Sequence, residues 1–117
     1  MAEPTDEQLR DYAAKLPQIY RDLLAAFPKI DPDRRSGDPA KVFDIEELLV
    51  SESKDVRMSD VQDAIYQLVS QKFLRGIGGG LYYCVPTVLG ERLITLITKH
   101  VPRPASIPAL PEPSWAS

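Results

Sequence analysis

The sequence predicts a small, mostly helical α+β domain with one β-hairpin near its end and a proline-rich tail behind it. Three observations carry this. Apolar residues recur at three- and four-residue steps in four stretches, the mark of helices with one buried face. Around Gly78-Gly79-Gly80 the pattern shortens to the alternation of strands. Five of the eleven prolines fall after residue 101, where neither period survives.

The first element opens at Thr5. Thr5 and Gln8 have the spacing of a capping box. Leu9, Tyr12, Ala13, Leu16, Ile19, Tyr20, Leu23, Leu24 and Phe27 then form one apolar stripe. Pro17 interrupts it, so two abutting helices are expected, near 6–15 and 17–27, ended by Phe27-Pro28. Residues 28–40 hold three prolines, Gly37 and three aspartates and read as a loop. Asp31, Asp33 and Gly37 do not make a calcium loop, because Val42 stands where the bidentate glutamate belongs.

A second helix is expected over 45–52, with Asp44 as cap, Glu47 closing the box and Phe43 stapled onto Leu48. A polar turn, 51–57, follows. Ser59 and Gln62 form the box of a third helix, whose apolar face is Val61, Ala64, Ile65, Leu68 and Val69. Residues 73–77 and 81–85 are the two strands of the hairpin, with a short edge strand near 41–43. Thr87 begins a last helix with Val88, Leu89, Leu93, Ile94 and Ile97 on its apolar face, and Gly90 in its first turn allows close packing. Val61, Ile65, Leu68, Leu48, Leu49, Phe73, Leu89 and Leu93 should meet in one core.

Composition limits the chemistry. The chain has 117 residues, room for one domain. One cysteine, Cys84, and one histidine, His100, leave no cysteine zinc cluster, no disulfide framework and no basis for a metal site or a Ser-His-Asp triad. Gly76-x-Gly78 lacks its third glycine, which is Leu81, and leads into a strand, so no pyrophosphate site is expected. Glu46-Glu47 and Asp60/Asp63 have no nucleophile beside them and read as solvated helix faces. Cys84, among aromatics in a strand, reads as a small buried hydrophobe. The expectation is therefore a protein that is not an enzyme and holds no cofactor or metal. No apolar run reaches membrane-spanning length and the first residues are polar and acidic, so a cytoplasmic protein with no membrane partner is expected.

The order helix, helix, helix, hairpin, helix resembles the winged helix-turn-helix superfamily, as found in bacterial regulators. Asp44–Leu49, Ser59–Leu74 and Tyr82–Ile94 carry the resemblance, which covers roughly 41–100. The stretch from Ala64 to Leu74 is similar to the family's "L-x-x-x-G-hydrophobic" exit from the recognition helix, with Lys72 where glycine is common. Tyr83 to Ile94 resembles the "Y-x-L-T-x-x-G-x-x-L" stretch that closes the wing, with one extra residue near Pro86. On this reading residues 1–100 form a single winged-helix domain with residues 1–30 as an N-terminal helical extension, and 101–117 are the tail.

The resemblance implies a DNA-binding transcriptional regulator, with the third helix in the major groove of double-stranded DNA and the hairpin on the backbone or minor groove. The candidate contacts are Ser59, Gln62, Tyr66, Gln67, Ser70, Lys72, Arg75 and Tyr82. The charge distribution points two ways. Residues 31–63 carry ten acids and five bases, whereas residues 72–103 carry five bases and one acid. The basic end favours DNA. The acidic middle favours the alternative, a winged-helix protein–protein interaction module without DNA binding. A homodimer is expected through the first and last helices, with the tail as an extended arm carrying Ile107, Leu110 and Trp115 across its own or the partner subunit.

Overall fold

A computed structural model describes residues 3–77, 82–99, 113 and 115. The glycine turn at 78–80, His100, Ile107 and Leu110 lie outside the described residues. The chain folds as an α+β structure of five helices and a small antiparallel sheet, with helix predominating. Helix α1 spans Asp6–Lys15 and α2 Gln18–Ile30, divided at Pro17 as proline chemistry requires. The box at the start of α1 is formed: Gln8 N–H donates to Thr5 Oγ1 at 3.2 Å, and Thr5 N–H donates to Gln8 Oε1 at 2.9 Å.

Pro28 does not end α2, contrary to expectation. Proline removes one donor from the last turn. That turn stays closed because Asp31 N–H donates to the Phe27 carbonyl at 3.2 Å, Ile30 packs against the core and Lys29 pairs with Glu52 at 3.1 Å. The loop beyond uses its acids to hold its own backbone. Asp31 Oδ1 accepts from Asp33 N–H and Asp38 Oδ2 accepts from Arg35 N–H.

Strand β1 (Ala40–Lys41) leads directly into α3 (Val42–Glu52), and after a turn α4 spans Met58–Ser70. Both helices start earlier than their sequence caps imply. Helix α3 begins at Val42, whose N–H donates to the Tyr82 carbonyl, so Asp44 lies inside the first turn instead of capping it. Phe43 is 55% exposed and is not a staple on Leu48. Helix α4 begins one residue before Ser59, and Asp60 Oδ2 accepts from Arg57 N–H at 3.0 Å in place of the Ser59/Gln62 box.

Strands β2 (Leu74–Ile77) and β3 (Tyr83–Pro86) complete the sheet, in the order β1-β3-β2, and α5 (Val88–Lys99) closes the fold. The register places Leu74 opposite Pro86, Arg75 opposite Val85, and Ile77 and Lys41 both opposite Tyr83. Side chains alternate across a sheet. Leu74 and Cys84 therefore enter the core, while Arg75, Ile77 and Lys41 stand on the outer face and are exposed.

The core is one cluster. It joins Val61, Ile65 and Leu68 of α4 to Leu49, Phe73 and Leu93, with Leu48 and Leu89 packed at its border. It also takes in Leu9, Tyr12, Leu16, Tyr20, Leu23, Leu24 and Phe27, so α1 and α2 are structural members of the same body. Leu9, Tyr12, Ala13 and Leu16 at α1, and Leu93, Ile94 and Ile97 of α5, from which a dimer was expected, are buried within the single chain; Val88, expected on the same face of α5, is instead 80% exposed in its first turn. The tail returns to this body at its end. Pro113 is buried, and Trp115 packs edge-on against Tyr12 at 5.3 Å, which in turn stacks on Phe73.

Candidate functional site

Helix α4 presents to solvent what its apolar face does not use. Val61, Ala64, Ile65 and Leu68 are buried, which leaves Ser59, Asp60, Gln62, Asp63, Tyr66, Gln67 and Ser70 exposed. The helix hands over to β2 through a tight turn. Phe73 N–H donates to the Leu68 carbonyl at 2.9 Å, and Lys72 takes φ +70° to make the reversal. This is the left-handed region that favours glycine. Lys72, Arg75 and Tyr82 are exposed beyond it. All eight residues expected to contact a partner are therefore exposed, carried by α4, its exit turn and the β2–β3 pair.

They are not equally available. The amide of Gln62 donates to Glu46 Oε2 at 2.7 Å, which holds its side chain against α3 and supplies a partner for the buried Glu46 carboxylate. Tyr82 lies edge-on against Tyr83, with ring centroids 4.8 Å apart. Tyr66, Gln67 and Arg75 carry no side-chain hydrogen bond or ion pair among the described residues.

Two features bear on what this face could bind. First, six large apolar or aromatic side chains are exposed among the described residues: Met58 and Tyr66 of α4, Ile77 and Tyr82 of the β2–β3 pair and Phe43 of α3, each between 42% and 57% exposed, and Val88 of α5, 80% exposed. Second, α4 carries Asp60 and Asp63 and no lysine or arginine from Met58 to Ser70. The cations stand at its ends, Arg57 before it and Lys72 and Arg75 after it.

A second polar centre is structural. Arg34 donates to both oxygens of Glu91, at 2.9 and 2.8 Å, and Glu91 Oε2 also accepts from Gly37 N–H at 2.6 Å. The guanidinium lies over the Phe27 ring, 5.5 Å from its centroid. Burial alone would raise the Glu91 pKa, but the hydrogen bonds from Arg34 and Gly37 outweigh it and hold the carboxyl below its ordinary value. This network fastens the 31–39 loop to α5. Nothing local marks it in sequence, since its two charged members are 57 residues apart.

Reactive chemistry finds no support among the described residues. Cys84 is fully buried and desolvation pushes its thiol up to about 12, which keeps it protonated and inert. No group of three metal-ligating side chains assembles among these residues, and none of their helices is long and apolar enough to cross a membrane. No protein-family model, curated protein or solved structure matches the chain.

Proposed function

We propose that the chain is a winged helix-turn-helix domain that works as a protein-interaction module and docks through α4, its exit turn and the β2–β3 pair. The fold part of this reading rests on the order α2, β1, α3, turn, α4, β2, β3, with β1 laid beside β3. In this arrangement α4 holds the place of a recognition helix and β2–β3 that of a wing. The observation that carries the function is the surface of α4. Its exposed residues are apolar, aromatic, amide, hydroxyl and acidic, with no cation, and Met58 and Tyr66 are two of the six large apolar or aromatic side chains exposed among the described residues. Phosphates repel such a helix, whereas a protein surface can bury its aromatic groups and answer its acids.

DNA binding by a transcriptional regulator is the second reading, and one observation favours it. Lys72 and Arg75 are exposed cations with no ion pair among the described residues, on the exit turn and outer sheet face, with Lys41 across the sheet. Cations so placed suit phosphate contacts, with Tyr66 and Gln67 left for base edges.

A fluorescence anisotropy titration with mixed-sequence duplex DNA at two salt concentrations separates the readings. A docking module gives no binding, or weak binding that is unchanged by Tyr66→Ala. Salt-dependent binding that Arg75→Ala weakens equally on every sequence, with a salt slope shallower by about one unit, would establish the DNA reading instead.

A further inference from the structure

We infer that the partner of this face is a second copy of the chain, docked about a two-fold axis that crosses α4 near Tyr66 with the two copies of α4 antiparallel. This rests on the docking reading and adds the identity of the partner.

The first argument is supply. Leu9, Tyr12, Leu16, Leu93 and Ile97, which could have formed an interface along α1 and α5, are buried inside one chain. Of the six large apolar or aromatic side chains left exposed among the described residues, Met58 and Tyr66 stand on α4, Ile77 and Tyr82 on the β2–β3 pair, Phe43 on α3 and Val88 on α5.

The second argument is charge. A two-fold interface must complement itself, because the same patch is used on both sides. Along α4 the charge is polarised. Asp60 and Asp63 occupy its amino-terminal half, and Lys72 and Arg75 follow its carboxyl end. Counting Arg57, the first end is still net negative and the second net positive. Antiparallel pairing lays each acidic half against the basic end of the other copy. Asp60 lies in the first turn of α4 and Lys72 in the turn beyond its end, on opposite sides of Tyr66 along the chain, so an axis near Tyr66 brings the acidic half of one copy toward the basic end of the other. Parallel pairing would set acids against acids. A uniformly basic partner would answer Asp60 and Asp63 but oppose Lys72 and Arg75, and nucleic acid would do the reverse. A second copy answers both signs.

The third argument is the centre. Tyr66 is 57% exposed and has no side-chain hydrogen bond among the described residues. On the axis it would meet its own counterpart, and a rigid aromatic at the middle of an interface is a common source of binding energy.

The test is sedimentation velocity on the full chain across a range of protein and salt concentrations, with two sets of variants. Expected is a reversible dimer that weakens as salt rises. Lys72→Glu with Arg75→Glu should weaken it by about tenfold or more, as should Asp60→Lys with Asp63→Lys, because each places like charges face to face. Mixing the two variants should restore a heterodimer. Asp60 also accepts from Arg57 N–H, so Asp63→Lys alone replaces the double variant should circular dichroism show that one unfolded. A monomer at every concentration overturns the proposal. So does a dimer that both variants leave unchanged, or a mixture that fails to recover. None of these results alters the outcome of the duplex titration, which judges the docking reading separately.

Discussion

A methyl group at position 90 would overlap the carbonyl oxygen of Phe73. That carbonyl accepts from Thr87 N–H at 3.0 Å, and the Thr87 hydroxyl accepts from Gly90 N–H at 3.1 Å as the cap of α5. Backbone meets backbone at this corner, and only glycine fits. Gly90→Ala should cost about 3 kcal/mol in a urea titration, by forcing α5 off the start of β2. Gly37→Ala is the control. Gly37 has φ +89° but open space around its Cβ position, so its cost should stay near 1 kcal/mol of backbone strain. Lys72 is the reverse case. Its φ of +70° makes Lys72→Gly stabilising by about 1 kcal/mol in the same titration. Both positions were legible in sequence as departures from a pattern: a glycine inside a helix start, and a lysine where a turn favours glycine. The φ value supplies the physical reason for the second.

Between elements, the Arg34–Glu91 pair ties a proline-rich loop to α5 with side chains only 10% and 14% exposed. Glu91→Gln removes the charge and leaves Arg34 facing an amide, at a cost of about 2 kcal/mol. The sign of its pH dependence follows from the lowered carboxyl pKa. The stabilisation is complete above the ordinary pKa of a glutamate and is lost as pH falls through the lower folded value. Thermal melts should therefore show a shallower acid limb for Glu91→Gln than for the parent. A limb of unchanged slope would mean the pair contributes nothing to folding. The elements themselves could be read from the chain because each rests on local chemistry: a box at Thr5, a break at Pro17, period-two runs beside glycines. Their starts were less legible. At α3 a strand bond from Val42 to Tyr82 begins the helix early, and at α4 Asp60 displaces Ser59 and Gln62 as the capping pair. Such competition between neighbours is settled by tertiary contacts that sequence spacing does not contain.

For the molecule as a whole, residues near both ends of the chain pack on the core: Pro4 and Pro113 are buried, and Trp115 lies against the cluster. Trp115, the only tryptophan, lies against Tyr12 and closes one wall of a hollow formed with Pro4, Lys72, Leu89 and Arg92. Its emission should shift to the red on unfolding, and Trp115→Ala should lower stability by about 1–2 kcal/mol. Emission typical of full exposure in the native protein would contradict the contact. The burial of α1 was hidden in the sequence because an apolar stripe is the same whether its cover is its own domain or a partner. The same ambiguity applies to α4, whose aromatic and acidic residues read alike whether they face a groove, a protein or water. In the proposed function this face docks protein rather than DNA. Backbone amide NMR shifts test it most directly, recorded on dilution of the protein and, in the same buffer, on addition of mixed duplex DNA. The account predicts that dilution moves resonances of α4, its exit turn and the β2–β3 pair while α1 and α5 stay fixed, and that duplex leaves all of them in place. Resonances of α4 that move with duplex at low salt and ignore dilution would contradict it.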